Sequence, residues 1–120
     1  MLPGFLVPET DIRSNGASDP LALNTIQPVL ITLGVLQVVE QESLLLSMEG
    51  SADGSQWLPA PVVTFPEKFY TGVSAVYINP AEENVHFLRA AWKVNRWGRG
   101  VKTPFFRVYV FVELVDRERS

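Results

Sequence analysis

The 120-residue sequence contains no cysteine and a single histidine, His86. Without cysteine the chain can form no disulfide and no thiolate metal site. One histidine also excludes a metal centre built from several histidines of the same chain. The composition therefore predicts neither a metal site nor any other cofactor, and it leaves the cellular compartment open.

The sequence offers little for catalysis. A Ser–His–acid triad could use only His86, and no serine stands in the sequence context of a nucleophile elbow. Two carboxylate pairs, Glu40 with Glu42 and Glu82 with Glu83, flank predicted turns and are expected to be solvated. The chain is therefore not expected to be an enzyme.

Long uninterrupted hydrophobic runs are also missing. The apolar residues 1–7 follow no positively charged region and are broken by prolines, so they lack the form of a secretory signal. Residues 29–39 are strongly apolar but contain Gly34 and Gln37, and the run is too short to cross a bilayer. No membrane span is expected.

The chain is rich in short apolar segments separated by turn signals. Its length and its hydrophobic fraction of 47% indicate one folded domain. Strands are predicted over residues 29–39, 43–49, 61–65, 73–78, 85–94 and 104–114. Residues 1–24, interrupted by prolines, are predicted to form an extended N-terminal arm, and residues 25–120 a β-sandwich domain.

Residues 79–94 allow two interpretations. Asn79 and Pro80, followed by two acids, form a good helix start, and Val85, Leu88 and Trp92 fit helical spacing. Strict alternation fits residues 87–94 equally well. We favour one helical turn near residues 80–84, followed by a strand.

The last predicted strand alternates most clearly. Phe106, Val108, Val110, Val112 and Leu114 lie on one side, and Phe105, Arg107, Tyr109, Phe111 and Glu113 on the other. The first side is expected to be core, whereas the aromatic and charged second side suits a partner better than water. The same argument predicts a core of Leu44, Leu46, Met48, Trp57, Leu88, Ala90, Trp92, Val108, Val110 and Val112.

Two runs resemble a known type of module. Residues 44–57, LLLSMEGSADGSQW, join an apolar strand to a G-S-x-D-G-x-x-W turn, and residues 87–94, FLRAAWKV, look like a later strand of the same modules. Together they resemble small jelly-roll or discoidin-like β-sandwich modules, which occur in phage virion proteins and carbohydrate-binding domains. The resemblance implies an all-β fold, a single jelly-roll-like antiparallel β-sandwich. Within it Asp53 is expected to form the turn rather than bind calcium.

Charge is unevenly distributed along the chain. Residues 1–60 hold seven acidic residues against Arg13 alone, and residues 61–120 hold nine basic residues against six acidic ones. This asymmetry predicts head-to-tail contact between copies, in which Arg96, Arg99 and Lys102 meet Glu40, Glu42 and Asp53. The alternative is that the uneven distribution of charge arises by chance.

A basic, aromatic cluster accompanies the loop at residues 95–103. It contains Lys93, Arg96, Arg99 and Lys102 together with Trp92 and Trp97. Such a cluster can bind nucleic acid, but the sequence pI of about 5.1 argues against that partner. Protein contact, carbohydrate or anion contact, and a merely solvated loop remain as interpretations.

These observations favour a self-assembling structural subunit, which forms a homo-oligomer with the arm and the sandwich faces as contacts. A phage virion or an extracellular filament or tube, with other proteins of the same assembly as further partners, is the expected setting. A small carbohydrate-binding module is the alternative, with Phe87, Tyr109 and Phe111 as a platform for sugar rings. The candidate interface or ligand-binding residues are Phe87, Arg89, Lys93, Arg96, Trp97, Arg99, Lys102, Arg107, Tyr109 and Phe111.

Overall fold

A computed structural model describes residues 3–23, 25, 27–39, 41–97 and 103–115. The described elements are β1 (Gly4–Ile12), β2 (Gly16–Ala17), β3 (Leu21–Ala22), β4 (Val29–Val38), β5 (Glu42–Ser51), β6 (Val63–Thr64), β7 (Gly72–Ile78), the helical turn α1 (Pro80–Glu83), β8 (Phe87–Arg96) and β9 (Phe106–Leu114). The predicted all-β sandwich is confirmed.

Two antiparallel sheets pack face to face. The first sheet has the strand order β1-β9-β4-β7, and the second has the order β2-β8-β5-β6 with β3 also paired to β8. Strands from both ends of the chain are therefore neighbours in each sheet. The acidic half and the basic half of the sequence are interleaved by this topology.

The core lies between the sheets and follows the alternation of the sequence. In the first sheet β9 and β4 are paired so that Val110 lies opposite Leu33 and Val112 opposite Ile31. These side chains are fully buried, as are Leu44, Leu46 and Met48 of β5 in the second sheet. The predicted faces of β5, β8 and β9 are confirmed because one-residue alternation decides which side chains meet the other sheet. Leu114 is the exception, since it ends β9 beyond the core and is 40% exposed.

Two predicted core tryptophans are not fully buried. Trp92 is half-buried against the core in β8, between Gly16 of β2 and Leu46 of β5, and its indole N–H donates to the carbonyl of Ser14 at 3.1 Å. Trp57 lies outside the core, and its ring packs under the guanidinium of Arg89 at 4.2 Å. The prediction of Trp57 as a core residue is wrong because residue 57 forms a β-bridge with Ser51 at the end of β5, outside the space between the sheets.

The N-terminal segment that the sequence separates as an arm lies on its own sandwich. β1 pairs with β9, and β2 and β3 pair with β8. Pro8 is accommodated because β1 is an edge strand whose register shifts around it. The segment thus finds strand partners within its own chain, and its predicted role as a contact between copies stays a prediction.

The ambiguous stretch forms a helical turn and then a strand, as favoured. The side chain of Asn79 accepts a hydrogen bond from the N–H of Ala81 at 3.2 Å, and Pro80 occupies the first turn. Asn84 ends the turn in the left-handed conformation with φ of 55°. This early stop leaves Phe87 onward free to pair with β5.

Glu42, which the sequence predicts to be a solvated residue beside a turn, is buried. It is the first residue of β5 and only 1% exposed. Its carboxylate accepts the N–H of Val39 at 2.9 Å and that of Phe105 at 2.8 Å. The sequence signal missed this role because a buried acid flanking a turn has the same local pattern as a solvated one.

Several predictions fall on residues outside the described ranges, namely those for Glu40, Arg99 and Lys102. Among the residues that are described, no helix has the length and apolarity needed to cross a membrane.

Candidate interaction surface

The outer face of the first sheet carries an aromatic patch, defined by Phe5, Leu36, Tyr109 and Phe111. Phe5 lies opposite Phe111 across the β1–β9 pair, and Tyr109 lies opposite Gly34 across the β9–β4 pair. Phe5 is 55% exposed and Leu36 45% exposed. The sandwich thus presents on its outside Tyr109 and Phe111, which the sequence assigned to the outer side of β9, together with Phe5 and Leu36 of the neighbouring strands.

The rings of the patch pack edge to face. The centroid of Phe5 lies 4.9 Å from that of Phe111 and 6.0 Å from that of Tyr109, with interplanar angles of 61° and 82°. Such pairs stabilise one another beyond the area they bury. A groove of about 460 Å³ runs among the patch, Thr32, Glu9 and Glu113. The surface is therefore a preformed, mainly apolar hollow with acids at its rim.

Gly34 shapes this hollow. A Cβ atom built at residue 34 would lie 2.0 Å from Cε2 of the Tyr109 ring. The absent side chain leaves room for the ring to lie across the neighbouring strand. A glycine within a strand usually marks such a close approach.

Charges pair at one end of the same face. Nε of Arg107 lies 2.8 Å from Oδ1 of Asp11, and its Nη1 donates to Gln37 at 3.1 Å. The hydrogen bond from Arg107 lowers the pKa of Asp11, and the same contact raises the pKa of Arg107. Arg107 is thus held as a cation beside the aromatic patch. Glu113 stands at the other end of the β9 row.

The outer face continues from the patch to β7. Across the β4–β7 pair Val73 lies opposite Gly34, Ala75 opposite Thr32 and Tyr77 opposite Leu30. Val73 is 67% exposed and Tyr77 66% exposed. The apolar surface therefore extends to the free edge of the first sheet.

The remaining predicted site residues of β8 lie on the other side of the molecule. The ring of Phe87 packs on Gly54, where a Cβ would lie 3.4 Å away, and Lys93 is exposed. Arg89 pairs with Glu49 at 2.6 Å on the outer face of the second sheet. A common platform of Phe87, Tyr109 and Phe111 is therefore wrong, because the two sheets point their outer side chains in opposite directions.

A second aromatic cluster lies at the end of β8. Trp97 and Phe69 are exposed and their ring centroids are 6.4 Å apart, and Tyr70 beside them is 80% exposed. They border a hollow of about 400 Å³ that Gln41 and Glu42 also line. Arg96 lies opposite Glu42 across the β8–β5 pair.

The acidic partners predicted for the basic residues are largely engaged within the chain. Glu42 is buried, so the prediction that it meets a neighbouring copy is wrong. Oδ1 of Asp53 accepts the N–H groups of Ser55 and Gln56, each at 2.9 Å, and the hydroxyl of Ser51. These bonds, that to Gln56 first, lower the pKa of Asp53 to about 2.

Within the described part of the chain, no three acidic or histidine side chains come together in a way that could hold a metal ion. No family model, curated protein or solved structure matches this chain. Function is therefore inferred from the surfaces of the sandwich.

Sequence reasoning missed Phe5, Leu36, Val73 and Tyr77 as surface residues. Phe5 stands in a proline-broken segment without strand periodicity, so only pairing with β9 reveals its face. Alternation in β7, GVSAVYI, was a signal for Val73 and Tyr77, because it places both on the side opposite buried Ile78.

Proposed function

We propose that this protein is a non-enzymatic structural subunit that associates with copies of itself through the outer face of its first sheet. The observation that supports the proposal is the aromatic patch with its groove of about 460 Å³. Contiguous apolar surface of this kind is typical of protein contact sites. The setting, a phage virion or an extracellular filament or tube, rests on the resemblance of residues 44–57 and 87–94.

A second copy is the proposed occupant because the outer row of β9 complements itself. The row begins with Arg107, continues with Tyr109 and Phe111, and ends with Glu113. A two-fold axis across the strands lays Tyr109 of one row over Phe111 of the other, while each Arg107 stays paired with Asp11 of its own chain. Symmetric dimers are built on such self-complementary surfaces.

The proposal is tested with the double variant Phe5→Glu, Leu36→Glu. Both side chains are about half exposed, so the charges should spare the fold while opposing docking of the patch. Sedimentation velocity and light scattering measure the oligomer size over a range of concentrations. We expect association of the native chain and its loss, or a weakening of more than about tenfold, in the variant.

The matched control is Leu58→Glu, which charges an apolar residue that is 40% exposed outside the patch. It should associate like the native chain. A native chain that remains monomeric at high concentration contradicts self-association. Unchanged association of the patch variant contradicts the assignment of this face.

A carbohydrate-binding role is the second candidate. The exposed cluster of Phe69, Tyr70 and Trp97 suits it better than the platform of Phe87, Tyr109 and Phe111 that the sequence predicted. Flat rings beside the amide of Gln41 provide a stacking surface and a polar group. Native gels containing xylan or a β-glucan, and sedimentation with chitin, test this role. Retardation or co-sedimentation of the native protein, together with its loss in the Trp97→Ala variant, supports this role. A native protein that binds none of these polysaccharides contradicts it.

A further inference from the structure

Three of the edges of the two described sheets are covered or guarded. Segment 57–68 runs along β5, with backbone hydrogen bonds such as Phe65 N–H to Leu46 at 2.9 Å. Along β8, the side chains of Asn15 and Ser18 accept the N–H groups of Val94 and Ala90. The edge strand β1 has Pro8, two shifts of register and two acids, features that oppose further pairing.

β7 forms the remaining edge, and its own residues have none of these protections. Lys68 lies beside it and donates to the hydroxyl of Ser74. Its sequence, GVSAVYI, contains no charge and no proline. Its register with β4 runs without interruption from Ile78 to Gly72, so the strand is regular over its whole length. Within the described residues, β4 is the strand that pairs with it, which leaves the opposite side of β7 available. A regular, uncharged edge is a template for another strand.

We propose that β7 pairs antiparallel with β7 of a second copy, joining two first sheets into one continuous sheet. The strand is self-complementary about Ala75. A two-fold axis at Ala75 places Val73 of each copy opposite Tyr77 of the other, on the outer face where both are about two-thirds exposed. β-branched and aromatic residues form favourable cross-strand pairs. The strand itself carries no charge, so pairing brings no charged side chains of β7 together.

This inference rests on the proposed self-association and adds a second, distinct contact to it. The edge contact also joins the two outer faces, because Val73 and Tyr77 continue the apolar surface of the aromatic patch. One symmetric contact alone gives a dimer. Two symmetric contacts on different surfaces extend the assembly beyond the dimer. The combination explains how a small sandwich could build a larger structure.

Because the native sequence has no cysteine, an introduced cysteine is the only thiol that can form a disulfide in a cross-linking test. In the proposed pair the two Ala75 Cβ atoms lie about 4.5–5.5 Å apart, within adjustment of disulfide geometry. Ala75→Cys should therefore form a disulfide dimer under mild oxidation about tenfold or more faster than Ala81→Cys, an exposed alanine on α1. Equal rates for the two variants would overturn the proposal.

The register is tested with Val73→Cys and Tyr77→Cys. Each variant alone should cross-link slowly, and an equimolar mixture should cross-link fast, because residue 73 faces residue 77 of the partner. Hydrogen exchange provides a readout without substitutions. The β7 amides that point away from β4 should become protected as protein concentration rises, and exchange that is independent of concentration would contradict the pairing.

Repeating the Ala75→Cys experiment in the Phe5→Glu, Leu36→Glu background separates the two proposals. Retained cross-linking with a smaller assembly supports both contacts. Cross-linking at the background rate, together with patch-dependent association, overturns the edge contact and leaves the face contact standing. Retained cross-linking, together with an assembly of unchanged size in the Phe5→Glu, Leu36→Glu background, overturns the face contact and supports the edge contact.

Discussion

Two residues, Gly34 and Asp53, show how single positions set the properties of this surface and of the turn after β5. Gly34 has an ordinary strand conformation, so its value lies in space and not in backbone freedom. Asp53 acts through its carboxylate, which organises the turn after β5. Both roles lead to measurements that single substitutions can make.

Gly34→Ala should destabilise the native chain but stabilise a chain that lacks the Tyr109 ring. In the native background the new Cβ forces the ring off the strand and weakens its contact with Phe5, costing about 0.5–1.5 kcal/mol. In a Tyr109→Ala background the clash is gone, and loss of glycine entropy in the unfolded state stabilises by about 0.4–1 kcal/mol. Urea unfolding of the four chains measures this cycle. The same sign in both backgrounds would contradict the proposed contact.

Asp53 should make stability depend on pH in a narrow acidic range. Hydrogen bonds from Gln56, Ser55 and Ser51 lower its pKa from 3.8 to about 2 in the folded chain. A lowered folded pKa contributes stability above the unfolded value, and this contribution is lost as pH falls through the folded value. The loss attributable to Asp53 is therefore expected between pH of about 4 and about 2. Comparing urea unfolding of the native chain and Asp53→Asn across this range isolates it, and NMR titration showing a carboxyl near 3.8 would refute it.

At the scale of elements, Glu42 connects three strands. It begins β5, and its two carboxylate oxygens accept the N–H of Val39 after β4 and of Phe105 before β9. The carboxylate thus links the end of β4 and the start of β9 in the first sheet to the start of β5 in the second. Gln41 has φ of 61° in the same turn, which shows how sharply the chain reverses there.

Glu42→Gln should destabilise the fold far more than Glu49→Gln. At residue 42 one oxygen becomes an NH₂ group that faces a backbone donor, so a buried N–H loses its acceptor at a cost of about 1–3 kcal/mol. At residue 49 the substitution weakens a partly exposed pair with Arg89, worth about 0–1 kcal/mol. Chemical unfolding of the two variants gives the comparison. Equal effects would mean that the buried carboxylate has no special role.

At the scale of the whole molecule, folding brings opposite charges together within one chain. Asp11 of the acidic half pairs with Arg107 of the basic half, and Glu49 pairs with Arg89. The topology that interleaves the halves therefore pairs charges of both halves within one chain, at residues other than those predicted to meet a neighbouring copy. The proposed self-association accordingly relies on apolar contacts and backbone pairing.

Association should accordingly survive high salt. Raising NaCl from about 0.05 M to about 1 M shortens the screening length to about 3 Å and would strongly weaken a head-to-tail electrostatic contact. Contact through the patch and β7 should change by less than about tenfold, since exposed ion pairs contribute little. Sulfate should strengthen it. Sedimentation velocity across these salts provides the measurement, and dissociation at high salt would favour the electrostatic contact.

The sequence by itself determined the β-sandwich, the inward faces of β5, β8 and β9, and the single helical turn after Asn79. These features follow from alternation and capping, which are local. Only the tertiary structure decided that Phe87 and Tyr109 point to opposite sides, that Glu42 is buried, and that Phe5 joins Phe111. Each of these depends on which strands become neighbours, and period-two alternation gives a face to each strand without saying which sheet receives it.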